Sequence, residues 1–295
     1  MTLKTGDVIF PEQESNFTIP ESISVFGFSI SFYGLFLAFA ALVGIWIVVR
    51  EAKRKQQNVE WNLTLITMVI ISALIGARLY YVLFQWRVFV ENPVALLNLR
   101  GGGLCYFGAL FGAWSVVRRY CRKKEKDFLQ SADTLVFGAA AAAPLVWLGC
   151  AMVREPMGLF YEGMFSVRIS EVYLSGNVEP AYAETLLENA RMVGTESYVS
   201  VHPIAVYGIC GSVLIFLTLL FTKRFWKVQG DMFSLYLFLN SLLCFVLEFF
   251  RAERCYIWGT DIPVNCVVAT VLMITIGAGW LQRFVEQKKP WGKHL

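Results

Sequence analysis

The stretch MFSLYLFLNSLLCFVLEFFR, residues 232–251, is apolar almost throughout until it reaches Glu248 and Arg251. Its length matches the ~20 residues that a membrane-spanning helix needs. On a helix, residues three apart share one face, so a carboxylate and a guanidinium lie together at one end of the run. Holding an ionisable group in hydrocarbon costs at least about 2.5–3.5 kcal/mol on insertion scales. A chain that keeps this pair, with Arg78 at similar depth in another apolar run, is built to handle something charged. A lipid headgroup is the best candidate.

The rest of the chain agrees with a membrane setting. Of its 295 residues, 57% are hydrophobic and only 16% charged, with a mean hydropathy of +0.55. Soluble domains carry about a quarter charged residues. Seven apolar stretches stand out, near 26–49, 62–86, 101–117, 134–153, 203–222, 232–250 and 262–281. The spacing predicts an all-α, polytopic membrane helix bundle with seven transmembrane helices and a small extracytoplasmic cap. The third stretch is short and opens on Gly101, Gly102 and Gly103, which predicts a re-entrant or irregular start.

Basic residues orient the bundle. Arg50, Lys53, Arg54 and Lys55, then Arg118 to Lys126, then Lys223, Arg224 and Lys227, and last Arg283 to Lys293 hold 17 of the 26 lysines and arginines. All four groups fall on one side, and the positive-inside rule makes that side cytoplasmic. The N-terminus is then outside and the C-terminus cytoplasmic. The net charge of +4 is accordingly a topology signal, and nucleic acid is not an expected partner. The expected divisions are an outer tail at 1–25, a membrane domain at 26–284 and a cytoplasmic tail at 285–295. Within the domain, 87–100 forms an outer arm and 154–202 an outer cap. In that cap, 166–174 alternates like a short strand, and Pro180 suits the first position of a helix. The first apolar run follows an acidic tail with Asp7, Glu12, Glu14 and Glu21, which predicts no cleavable leader.

The seven cysteines show no metal-ligand spacing, so neither metal nor cofactor is expected. Cys255 and Cys266 flank the last outer loop, at a spacing open to a disulfide.

Polar residues gather at the outer ends of the spans: Tyr33, Arg78, the glycines at 101–103, Arg154, Glu155, Gly158, His202, Glu248 and Arg251. Arginine suits a phosphodiester because its planar fork donates parallel hydrogen bonds, and glycine lets backbone or lipid approach closely. Each has a structural counterpart. Arg78 and Arg251 also suit snorkelling anchors, and Glu248 a counterion for Arg251. The glycines suit a packing surface, His202 a helix-start residue, and Tyr33 the interfacial aromatic belt.

Phe32-Tyr33-Gly34, Gly76 to Phe84, the glycine-rich opening of span three, Glu155 and Gly158, His202-Pro203 with Tyr207, and Glu248 to Arg251 follow one another in order. In this order the chain, from Ile23 to Phe284, resembles the prolipoprotein diacylglyceryl transferases of the bacterial cytoplasmic (inner) membrane. The resemblance implies transfer of diacylglyceryl from phosphatidylglycerol, an anionic phospholipid, to the cysteine thiol of a lipobox-bearing precursor protein. It implies Glu155, Glu248 and Tyr33 as catalytic residues. Arg78, Arg251, His202, Gly102, Gly103 and Gly158 then bind substrate, in a chain expected to act as a monomer. The chain departs from the family pattern at Phe107, where the family has histidine, and at Trp147, Cys150 and Val153, where it has arginine and asparagines. These departures sustain a second reading, a catalytically silent paralogue that binds phospholipid or the precursor. A transporter has little support, since no paired broken helices in matching halves are visible.

Overall fold

The computed structural model describes residues 5–7, 18–20, 22–25, 28–84, 86, 90, 104–171, 174, 180–193, 196–225, 228–252, 254–257 and 260–288. Gly102 and Gly103 therefore lie outside the described residues, as does most of the 87–100 arm.

Two short antiparallel pairs precede the bundle: β1 (Thr5–Asp7) with β2 (Thr18–Pro20), and β3 (Ser22–Val25) with β4 (Phe28–Ser31). Then follow α1 (Phe32–Arg54), α2 (Val59–Phe84), α3 (Tyr106–Lys123) and α4 (Phe128–Met152). Next come β5 (Val167–Ser170), α5 (Pro180–Leu187), β6 (Arg191–Val193) and β7 (Glu196–Val201). The chain ends in α6 (Ile204–Thr222), α7 (Asp231–Glu248) and α8 (Val264–Lys288).

Six of these, α1, α2, α4, α6, α7 and α8, are long and apolar enough to cross a membrane. Side chains such as Leu42, Leu79, Leu214 and Ile274 project outward from them. So large an apolar exterior is at home in lipid and a liability in water. The third expected span is the exception. Its helix α3 starts at Tyr106 and runs to Lys123, so its second half carries Arg118, Arg119, Arg122 and Lys123, and it is not among the six. Arginine and lysine are good helix formers, which is why the helix continues past the apolar run.

Close backbone approach sets α3 against α2. A Cβ on Gly76 would lie 2.4 Å from the Gly108 carbonyl oxygen, and one on Gly112 would lie 2.2 Å from that of Ser72. This is the small-residue packing that membrane helices use when no hydrophobic drive holds them together. Phe107, in the first turn of α3, is 2% exposed.

At the basic end of the bundle, the Asp133 carboxylate of α4 accepts hydrogen bonds from the backbone N–H groups of Gly230 (2.6 Å) and Phe233 (2.7 Å). It thus satisfies donors at the start of α7 that have no partner within the helix. Lys55 donates to the Asp133 carbonyl (3.0 Å) and to Thr134 Oγ1 (3.3 Å), adding the α1–α2 turn to the same knot. Asp133→Ala is expected to cost about 1–2 kcal/mol, the scale of a lost N-terminal cap, read as a lowered unfolding temperature in detergent.

At the other end sits the unit spanning 154–202. Strands β5, β7 and β6 form one antiparallel sheet in that order. The strand expected at 166–174 is β5, and α5 begins at Pro180 as its ring predicts. Met157, Ile169, Leu174, Leu186, Val199, Val201 and Ala252 make the small core. Ala252 comes from the segment after α7, so the chain leaving that helix packs into this unit.

Candidate functional site

The site grows from the end of α7. Glu248 is its last residue and only 4% exposed. Both its carboxylate oxygens accept from Asn265 Nδ2, at 3.3 and 3.2 Å, and Arg251 Nη1 lies 3.9 Å from Oε2. The i, i+3 pair is thus present, but Arg251 stands past the end of α7 and not on the helix as expected, and Asn265 from α8 holds Glu248. The Arg251 side chain is one-third exposed, while its Nε is buried with no hydrogen-bond partner among the described residues. A guanidinium has five donors, and a carboxylate at 3.9 Å leaves most of them to a ligand. Arg254 closes the helix end, donating to the carbonyls of Arg251 (3.0 Å) and Phe249 (3.0 Å).

Backbone pairing fixes where Arg251 stands. The segment 157–161 lies between two others. On one side the Leu159 N–H donates to the Phe250 carbonyl (2.8 Å) and the Ala252 N–H to that of Met157 (2.9 Å). On the other, the His202 N–H donates to Leu159 (3.0 Å) and the Tyr161 N–H to Ser200 (3.0 Å). Gly158 is the crossing point: it forms a β-bridge with Arg251, and a Cβ there would fall 2.2 Å from the His202 carbonyl oxygen. Only glycine fits.

His202 is packed rather than free. Its ring stacks on Tyr161 (centroids 4.1 Å apart), meets Phe250 edge-on (4.9 Å), and its Nδ1 is 3.3 Å from the Tyr207 hydroxyl. Burial holds its pKa below the ordinary imidazole value, because removing water disfavours the cation. That shift favours the neutral ring, which sits in aromatic packing with Tyr161 and Phe250.

Other elements complete the mouth. Tyr33, at the start of α1, has Cys150 and Glu155 as electrostatic neighbours. Cys150 in turn faces both Glu155 and Arg251. Glu155 is exposed, whereas the preceding Arg154 is buried to 8% exposure at a positive φ of 56°. On α2, Arg78 lies over the Tyr81 ring of its own helix at 5.7 Å. The residue of that helix that neighbours Glu248, Cys105 and Cys255 is Tyr80. Trp147 packs flat against the position of Gly208 in α6, filling space with an apolar ring.

Tyr33, Glu155, Gly158, His202, Glu248 and Arg251 thus come together around one mouth. Asn265 and Tyr80 join them without having been singled out as site residues. For Tyr80 a signal existed, its place in the run from Gly76 to Phe84. For Asn265 there was none, since its meeting with Glu248 depends on how α8 packs on α7. Asn265→Ala is expected to cost about 1–3 kcal/mol by leaving a buried carboxylate short of donors, seen as a fall in the unfolding temperature.

The cysteines correct one expectation. All seven are unbridged. The Val264 N–H donates to the Cys255 carbonyl (2.9 Å) and Tyr256 bridges Pro263. This pairing carries the chain into α8, where Cys266 neighbours Glu248 and Arg254.

Away from these residues, in the half of the bundle nearer the basic loops, lies a cavity of about 250 Å³ walled almost wholly by apolar groups that include Ala40, Gly44, Ala73, Ala139 and Tyr236. Tyr106, next to Cys105, lines it too.

Six apolar helices of spanning length define a polytopic membrane protein. The chain belongs to the prolipoprotein diacylglyceryl transferase family, whose model matches residues 20–282. Among similar curated proteins, three are each named phosphatidylglycerol–prolipoprotein diacylglyceryl transferase. The one from Finegoldia magna is 28% identical over 252 residues, covering 85% of this chain and 91% of that protein. The one from Lactobacillus acidophilus is 24% identical over 273 residues, covering 92% of each. The one from Bacillus cytotoxicus is 27% identical over 253 residues, covering 84% and 88%.

Proposed function

We propose that this protein transfers the diacylglyceryl group of phosphatidylglycerol to the cysteine thiol of a lipobox-bearing precursor. The observation that carries the reading is Arg251, held by a buried Glu248–Asn265 clamp with donors to spare at the end of an apolar helix bundle. The substrate sulfur attacks the glycerol carbon that bears the phosphate; the C–S bond forms, the C–O bond breaks, and glycerol phosphate leaves. Charge grows on the departing phosphate oxygen, and a preorganised guanidinium there acts as an oxyanion donor does. Arg78 adds a second cation at the rim. Glu248 orients Arg251. Glu155, exposed and neighbouring Tyr33, takes the thiol proton, which satisfies the need for a base where Phe107 replaces the family's histidine. Tyr33 contacts the substrate, and Gly102 and Gly103 give the headgroup room.

The same reading makes α3 a seventh span, sets the 154–202 unit outside the cytoplasmic membrane with the N-terminus, and leaves the C-terminus inside. It treats 26–284 as one working domain in a monomer.

Phe107 favours a second reading, a silent paralogue that binds phospholipid without transferring it, because a buried phenyl ring cannot carry a proton. One experiment separates the two. The purified protein is given phosphatidylglycerol and a lipobox peptide in nanodiscs, and mass spectrometry looks for the diacylglyceryl thioether alongside released glycerol phosphate. Both products are expected. Lipid retention without either product, where a histidine-bearing relative yields both, establishes the silent reading.

A further inference from the structure

We propose that the turn carrying Met164 and Phe165 is a membrane wedge, a surface that seats the 154–202 unit on the bilayer by entering the boundary between headgroups and acyl chains. Met164 and Phe165 are 78% and 71% exposed, the two most exposed large apolar side chains among the described residues, above any on the spanning helices. They hold the central positions of a β-turn, which the Ser166 N–H closes by donating to the Gly163 carbonyl (2.9 Å). Such positions ordinarily carry glycine, proline, asparagine, aspartate or serine, each suited to the backbone of a turn. Methionine and phenylalanine serve no such backbone purpose, so their use here lies in what they touch.

Packing fixes how high the turn stands. A Cβ on Gly163 would fall 2.0 Å from the Tyr161 hydroxyl and 2.5 Å from its Cε1, so the Tyr161 side chain lies against the start of the turn. That ring stacks on His202, just before α6 begins at Ile204. On the far side of the turn, Val167 pairs with Val201, which is at most about 10 Å of extended chain from Ile204. Helix α6 has 19 residues, about 28 Å at its rise per residue, against ~30 Å of hydrocarbon. Its first turn therefore marks the edge of the apolar layer, and both flanks of the wedge are held close to that edge. Exposed apolar residues lead there from the bundle: Phe249 after α7, then Leu159 and Phe160 in the strip that pairs with Phe250. The charge nearest the tip along the chain, Glu162, is paired with Arg191 at 2.7 Å, so the tip enters lipid without an unpaired ion beside it. Aromatic and apolar side chains at this depth are the usual interfacial anchors, and a fluid lipid layer closes readily around a protruding tip.

The test uses the native full chain in phosphatidylcholine nanodiscs containing a phospholipid with a diazirine in its upper acyl chain. After irradiation and digestion, mass spectrometry locates the lipid adducts. The expected result is an adduct on Met164 or Phe165, alongside adducts on outward residues such as Leu214 of α6. The double change Met164→Asp with Phe165→Asp should abolish the adduct at the tip and keep those on α6. Neither side chain is covered by protein, so folding should survive, and the native-chain result decides even if it does not. Adducts on α6 with none at the tip overturn the proposal. Cross-linking of the tip to a diazirine-bearing lipobox peptide in place of lipid also overturns it, by making the turn a docking surface for the precursor. No outcome depends on the transfer reaction.

Discussion

Arg251→Ala is expected to lower diacylglyceryl transfer by about 10²–10³-fold, the scale of removing one oxyanion donor. The side chain is held by Glu248 on its inner side and offers its remaining donors to the mouth. In the proposed mechanism, its loss removes the group that stabilises the departing phosphate. Arg251→Lys should recover part of the rate, since an ammonium keeps the charge and loses the planar fork. The assay is thioether formation in phosphatidylglycerol nanodiscs, with helix content and unfolding temperature checked in parallel. An unchanged rate in a folded Arg251→Ala protein would remove this residue from the site.

The second large effect belongs to Gly158→Ala. An added Cβ would meet the His202 carbonyl oxygen at 2.2 Å and the His202 nitrogen at 2.9 Å. Both are backbone atoms fixed by hydrogen bonds on either side, so no rotamer relieves the contact. Overpacking costs typically about 1–3 kcal/mol and occasionally more; a backbone clash belongs at the upper end. Unfolding temperature should fall clearly and transfer should fall with it, because the same backbone positions Arg251. A protein with native unfolding temperature after this change would show that the strand relaxes at little cost.

Much of the fold was legible because the membrane imposes a simple rule on sequence. Apolar runs of spanning length predicted six helices that the structure contains, and the alternation before Pro180 predicted β5. The third run was harder. Gly101 to Gly103 interrupt its apolar face, and the helix took its remaining length from the basic residues beyond Val117. Within the site, Glu248 and Arg251 were legible because three residues along the chain is a local distance, although Arg251 falls past the helix end. Asn265 was not, for it reaches Glu248 only when two helices pack. Gly158 could be marked from the family pattern, but its reason lies in the proximity of His202, which nothing local encodes. The Cys255–Cys266 spacing left a disulfide open, and the two thiols are unbridged.

The ladder through residues 157–161 has a mechanical meaning. Four backbone hydrogen bonds tie this segment to the chain on both its sides, each worth about 0.5–1.5 kcal/mol net. Prising that strip loose would break them nearly together and pull Arg251 off its post. A bulky precursor therefore has to enter by a route that leaves this rivet shut, with the gap opening between other parts of the molecule.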